Sequence, residues 1–261
     1  VFTPNPEFIV EAQANPEFKE LLNKADINLP DGIGLVWASR LLGKPIKERI
    51  SGADVVEELL EYGNRKCEVR SESGGEGEKW IIGIAGARRG VQSEADELVK
   101  RLQEKYPNIV FTNLDQAQLN SKHKTLNSKQ IQNLKSKNQN VLDLGNLDFD
   151  IISDLGFRVS NFNFVFACHG MKKQEQWIMA NKDKLNANVF MGVGGSLDFI
   201  TGFTKRAPLL VRQAGMEWLW RGLQRPGHWK RIWRAVFVFG WLVIKEKSKL
   251  KTQSSKCKTK T

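Results

Sequence analysis

Residues 161–195 read NFNFVFACHGMKKQEQWIMANKDKLNANVFMGVGG, and their order decides the fold. An aromatic and β-branched run ends at Cys168-His169-Gly170, KKQEQWIMANKDKL then returns apolar residues at helical spacing, and ANVFMGVGG is apolar again before a glycine turn. That is strand, helix, strand. Upstream, WIIGIAG (80–86) leads into GVQSEADELVKRLQEKYP (90–107), a second strand-loop-helix unit. Alternation of this kind implies an α/β, Rossmann-like fold: a mainly parallel sheet with helices on both faces.

Further out, residues 16–24 and 53–65 have helical spacing, and the turn Pro30-Asp31-Gly32 opens a third helix. Residues 66–79 (KCEVRSESGGEGEK) have loop composition. Residues 112–146 are rich in Asn, Gln, Ser and Lys and read as a partly helical insertion with a strand at its end, within an atypical stretch of about 112–160. From Leu209 helical spacing runs to Gln224, breaks at Pro226 and resumes through Ile244 before a Lys-rich end. The expected organisation is a Rossmann-like domain over 1–208 and a helical appendage over 209–261.

Charge separates the same two parts. The chain of 261 residues carries a formal net charge of +11, and residues 221–261 hold 12 Lys and Arg against the single acid Glu246. The first 220 residues hold 28 of each sign and are neutral. A basic appendage on a neutral body points to phosphate groups, on lipid or on nucleic acid. Five of the eight Trp residues (Trp218, Trp220, Trp229, Trp233, Trp241) fall in the appendage, beside the apolar run Ala235 to Ile244. Ten residues are too few for a spanning helix, which needs about 20. Trp, a short apolar run and trailing lysines suit an anionic membrane surface reached through 218–261. A helix pair packed on the body, with a solvated tail, is the plainer alternative.

Cys67, Cys168 and Cys257 are widely spaced and form no CxxC, which argues against a disulfide framework or a zinc site. His123, His169 and His228 have no ligand spacing. The opening VFTPNPEF lacks the charged start and apolar centre of a signal peptide, so a cytoplasmic protein, peripheral on the inner face of the cell membrane, is expected.

Three loops at candidate strand ends could gather ligands, as open parallel sheets do: TPN (3–5), HGMKKQE (169–175) and GVGGSLD (192–198). GIAGARRG and GVGG fall short of a GxGxxG fingerprint, and either alone reads as close strand-to-helix packing. Asp31, by local context alone, reads as a turn former or helix cap ahead of a catalyst. Asp148 and Asp150 form a DxD, a pattern that holds a divalent metal in many sugar-nucleotide enzymes and also arises by chance. Arg221 and Arg225, one helical turn apart, suit a diphosphate or plain solvent.

In order along the chain stand TPNPEF, PDGIGLVWA, ERISGADVV, KKQEQW, GVGGSLDFITG, KRAP and MEWLWRGLQRP. Together they resemble the WecG/TagA/CpsF family of glycosyltransferases, closely over 1–65 and 164–226, less closely over 80–108, and weakly over 112–160. The resemblance implies inverting, metal-independent transfer of an N-acetylmannosamine-type sugar from a UDP-sugar donor, with no cofactor. The implied acceptor is an N-acetylglucosamine linked to undecaprenyl diphosphate. The resemblance also implies a C-terminal membrane-docking appendage. By motif position Asp31 is the proposed general base. Thr3, also at the catalytic centre, and Asn5 lie in the sugar pocket. Arg49 stands before the SG-D motif, and Gln174 and Glu175 match the QE pair beside the nucleotide. Gly194, Gly195 and Asp198 come from GVGGSLD, and Arg221 comes from the appendage.

Those types suit the reaction. A carboxylate takes the proton of an attacking hydroxyl, and without a metal the charge on departing UDP must be met by Arg49, Arg221 and backbone amides. An appendage that docks on the membrane and supplies Arg221 would complete the site where lipid substrate is present. Two stretches depart from the family pattern: Cys168-His169-Gly170-Met171-Lys172 has lost a glycine and a proline, and Arg225-Pro226-Gly227-His228 replaces E-P-R-R. This leaves Arg221 and Arg231 as the tail's phosphate partners. A strand and helix are also expected ahead of Thr3. The competing readings are an inactive, membrane-docked UDP-sugar-binding scaffold and a nucleic-acid-binding protein; the neutral body argues against nucleic acid. Association into a homo-oligomer stays open.

Overall fold

The computed structural model describes residues 1–72, 79–115, 161–224 and 232–258, apart from the side chains of 69–72, Gln213, Arg221, Gln224 and 253–258. In chain order the elements are α1 (Pro6–Ala14), α2 (Pro16–Asn23), α3 (Ile33–Leu41), α4 (Gly52–Glu72), β1 (Trp80–Ala85), α5 (Gln92–Lys105), β2 (Ile109–Asn113), β3 (Phe162–Ala167) and α6 (Lys173–Asn181). There follow β4 (Ala187–Gly192), α7 (Ser196–Ile200), α8 (Leu209–Gln213), α9 (Glu217–Gln224), a π-helical turn (Arg234–Val238) and α10 (Phe239–Lys258). They divide into two compact units, Leu60–Gly194 and Val1–Leu59 with Gly195–Thr261.

In the unit Leu60–Gly194 the four strands form an all-parallel sheet in the order β2-β1-β3-β4. Successive side chains of a strand point to opposite faces, so Trp80 and Ile81 define the two sides. On the Trp80 side, the second half of α4 sets Gly63 beneath the indole, so close that a β-carbon there would come within 2.4 Å of the ring. Leu60 and Cys67 are buried one turn either side of Gly63. This stripe carries the helix through Lys66–Glu72, part of the stretch whose composition suggests a loop. Lys66, Glu68, Arg70 and Glu72 are good helix formers, so the buried stripe extends a helix that local propensity already permits. Buried Ala95, Leu98 and Leu102 mark the inner face of α5. On the Ile81 side, Trp177 and Leu185 pack with Ala85 and Val165. Both faces are covered, as the strand-helix alternation requires. β2 is a short addition that sequence reading missed, because the polar composition of the following segment begins within it.

The other unit is helical. The tetrapeptide Asn-Pro-Glu-Phe occurs twice, at 5–8 and 15–18, and each copy starts a helix. The Asn side chain caps, the Pro occupies the first turn and needs no donor, and the Phe turns inward. Phe8 and Phe18 meet with ring centroids 5.8 Å apart. Phe2 makes an isolated parallel bridge with Asn28, so the TPN loop does not follow a sheet strand as expected. The helical stretch from Leu209 is divided at Gly215, whose φ is +72° and where a β-carbon would strike Ile33 at 2.9 Å. α10 continues to Lys258, making the lysine-rich end helical beyond Ile244. Its Phe239 and Val243 close a core with Val10, Leu35 and Ala38. Asp54 is paired by Arg206 and by Arg212 at 3.3 Å, and Arg206 also reaches Glu57 at 3.3 Å. The KRAP and SGAD motifs are thus joined by charge.

Candidate active site

A short ladder of main-chain hydrogen bonds gathers the N-terminal motifs. Phe2 N donates to Ile27 O (2.9 Å), Leu29 N to Phe2 O (2.8 Å), Asp31 N to Pro4 O (2.8 Å) and Ile50 N to Pro30 O (3.0 Å). Segments far apart in sequence are therefore laid side by side, and Asn5, Asp31 and Arg49 all line one cavity of about 570 Å³. After Asp31, Gly32 has a φ of +130°, and a β-carbon there would lie 3.1 Å from Pro6. Glycine lets the turn close onto α1 and leaves Asp31 at the head of α3.

Each gathered residue has a distinct setting. Asn5 Oδ1 accepts from Glu7 N (2.9 Å) and Phe8 N (3.3 Å), so its carbonyl is committed to capping α1 while the residue still lines the cavity. Thr3 is buried, with its side chain packed against Gly52 at contact distance. Arg49 faces Glu217 of α9 at 3.9 Å. That separation is longer than a hydrogen bond, so the carboxylate steers the guanidinium without consuming its donors. Glu217 is buried and lines the same cavity. Sequence reading passed over it inside MEWLWRGLQRP, although it is the one acid between 209 and 224. Arg221 lies on α9, and its side chain falls outside the described residues, as do Arg225, His228, Arg231, Asp148 and Asp150.

The remaining wall is apolar. α3 contributes Trp37 and Leu41, and the C-terminal helical segment contributes Val236, Phe239, Gly240, Val243 and Ile244.

In the sheet unit, Gln174 and Glu175 are fully buried at the start of α6. Gln174 Oε1 accepts from Gly194 N (3.0 Å), and its Nε2 donates to Glu175 Oε1 (2.7 Å). Glu175 Oε2 accepts from Lys172 N (2.6 Å), holding Lys172 at a φ of +72°. The pair therefore fastens the loops after β3 and β4 to each other. Burial raises the Glu175 carboxyl above its ordinary range, against the pull of those donors. Gly195 and Asp198 lie at the start of α7, in the first turn after the β4 loop.

At the same carboxyl ends, Asp115 accepts from Gly86 N (2.8 Å). His169, which stands in the departed loop, stacks on Trp177 with centroids 5.5 Å apart and fills the space a β-carbon on Gly86 would take. Burial raises Asp115 and lowers His169. Asp115 was not singled out from sequence, and His169 only as part of the HGMKKQE loop, because their proximity depends on β1 lying between β2 and β3. Among the described residues no three His, Cys, Asp or Glu side chains come together as a metal-ligand group, and no helix is long and apolar enough to cross a membrane.

One unit holds a parallel α/β sheet and the other an acid- and arginine-bearing cavity, and comparison with known proteins gives the class. The profile of the glycosyl transferase WecG/TagA/CpsF family matches residues 1–145 and 156–253, so the chain belongs to that family and is a glycosyltransferase. Similar proteins include the N-acetylglucosaminyldiphosphoundecaprenol N-acetyl-beta-D-mannosaminyltransferases of Staphylococcus aureus strains MW2 and NCTC 8325 / PS 47. Each is 29% identical over 253 residues, spanning 96% of this chain and 82% of its own length.

Proposed function

We propose that this glycosyltransferase moves an N-acetylmannosamine-type sugar from a UDP donor onto an N-acetylglucosamine carried by undecaprenyl diphosphate, at the inner face of the cell membrane. The observation that carries this reading is the gathering of Asp31, Asn5 and Arg49 in one cavity with an apolar wall; the names of the relatives supply the substrates. Asp31 accepts the proton of the attacking acceptor hydroxyl as its oxygen bonds to the anomeric carbon. The bond to UDP breaks on the opposite face, and the electron pair leaves with the diphosphate, giving inversion. Arg49 and Arg221 meet that charge without a divalent metal, aided by backbone amides of the glycine turns. Gln174 and Glu175 serve by holding the loops near the nucleotide, and the appendage docks on anionic lipid.

UDP release, measured with a panel of UDP-sugars and a lipid-diphosphate N-acetylglucosamine acceptor, tests the proposal. Asp31→Asn is expected to lower turnover by about 100-fold or more, the usual range for a lost general base. Equal turnover by the two proteins would remove Asp31 from that role, and UDP binding without transfer would favour the scaffold reading.

A further inference from the structure

The strand order β2-β1-β3-β4 turns at β1. From there the crossover through α5 leads out to β2 on one side, and the crossover through α6 leads from β3 out to β4 on the other. Open parallel sheets take their ligands at such a point, outside the carboxyl ends of the strands. Three groups meet there: Gly86 after β1, His169 after β3, and Asp115, which reaches across from the end of β2 to Gly86 N. Gly86 has a φ of +69°, and a β-carbon on it would strike the His169 ring at 2.4 Å, so glycine alone suits this turn.

Asp115 is fixed at both ends. Asn113, buried at the end of β2, accepts from Asp115 N through Oδ1 (3.1 Å) and donates through Nδ2 to Asp96 of α5 (2.8 Å), which Gln92 also reaches (2.9 Å). Those bonds set the main chain, and the carboxylate's Oδ2 accepts from Gly86 N. The second oxygen, Oδ1, accepts from no described residue, and no described Lys or Arg pairs with the carboxylate. His169, stacked on Trp177 and kept below its usual 6.5 by burial, is neutral near neutral pH and supplies no cation. A carboxylate held in place, with one open oxygen and no counter-charge, is set to accept a further hydrogen bond.

We infer that Asp115 accepts the ribose 2′-hydroxyl of the donor nucleotide, and so makes the protein select ribonucleotide donors over deoxyribonucleotide ones. The inference rests on the UDP donor proposed above. An uncompensated carboxylate repels a diphosphate, so the part of the donor that meets it must be a neutral hydrogen-bond donor. The hydroxyls of the ribose, those of the transferred sugar and the N–H of the uracil ring all qualify. Position decides among them. An acid at the end of the second strand, beside the glycine turn after the first, is placed as parallel α/β domains place the group that takes a ribose 2′-hydroxyl.

Calorimetry on the full chain with UDP, 2′-deoxyUDP and CDP tests the assignment without relying on turnover. The wild type should bind UDP about tenfold more tightly than 2′-deoxyUDP, the range for a lost hydrogen bond to a charged group. In Asp115→Ala that ratio should fall to about one. A residue that only braces the turn would weaken both nucleotides alike and leave the ratio unchanged, which overturns the inference. Should Asp115→Ala melt early, Asp115→Asn keeps an oxygen for Gly86 N and removes the charge, and its ratio should fall below about threefold. Equal binding of UDP and 2′-deoxyUDP by the wild type overturns the inference, as does a variant that keeps the ratio but no longer distinguishes UDP from CDP, which would assign Asp115 to the base. A wild type that shows the ribose preference but transfers no sugar defeats the proposed reaction and leaves this assignment standing.

Discussion

Arg49 and Glu217 are 17% and 11% exposed, so the ion pair between them stands mostly out of water. Removing one partner of such a pair leaves the other charge uncompensated. Glu217→Gln keeps the shape and removes the charge. We expect kcat/KM to fall by about tenfold, equal to about 1.4 kcal/mol of transition-state stabilisation. Because the effect would act through Arg49, the double variant with Arg49→Lys should be little worse than Arg49→Lys alone. Additive losses would show that the two residues work separately. Asp31 and Asn5 could be read from short patterns with turn or cap chemistry, and Arg49 from the resemblance of its motif to the family's. Glu217 could not, because its meaning depends on α9 lying over a residue 168 positions earlier.

Among the elements, the C-terminal segment has two unlike sides. Phe239 and Val243 enter the core, while Trp233, Phe237 and Trp241 stand exposed at four-residue intervals. Trp233 stacks on Phe237 at 4.2 Å, and Lys245 lies 4.9 Å over the Trp241 ring. Aromatic rings followed by lysines match the headgroup zone of an anionic bilayer. Replacing Trp233, Phe237 and Trp241 together by Ser should abolish flotation of the full chain with anionic liposomes and leave its melting temperature close to that of the wild type, since all three side chains are already in solvent. Retained flotation would return these rings to the role of ordinary surface residues. The twofold Asn-Pro-Glu-Phe pattern shows how local chemistry starts a helix. The split at Gly215 is local chemistry as well: with a φ of +72° it lets Gly215 N and Met216 N turn back onto Arg212 O and Val211 O, a glycine stop inside a stretch that apolar spacing alone reads as one helix.

At the scale of the molecule, the sheet unit carries buried titrating groups that couple folding to pH. Burial holds His169 below its ordinary 6.5, with the Asp115 charge opposing that shift and Lys173 reinforcing it. The unfolded chain therefore takes up this proton at a higher pH than the folded one. The contribution of neutral His169 is present above pH 6.5 and is lost as pH falls from there toward the lowered folded value. His169→Phe keeps the ring on Trp177 and removes the proton. The wild type should lose stability relative to this variant between about pH 7.5 and 5.5 in urea titrations. A constant difference across that range would mean His169 titrates as it does in water. Sequence by itself determined the parallel α/β character, the helical appendage, the family and the motifs bearing Asp31 and Arg49. Hydrophobic period, turn chemistry and motif order are local properties that survive without coordinates. Tertiary structure alone decided that α4 runs on to Glu72, that Glu217 faces Arg49, and that Asp115 accepts from Gly86 N. Those facts arise from burial and from contacts between distant segments, which depend on packing geometry and leave no periodic trace in the chain.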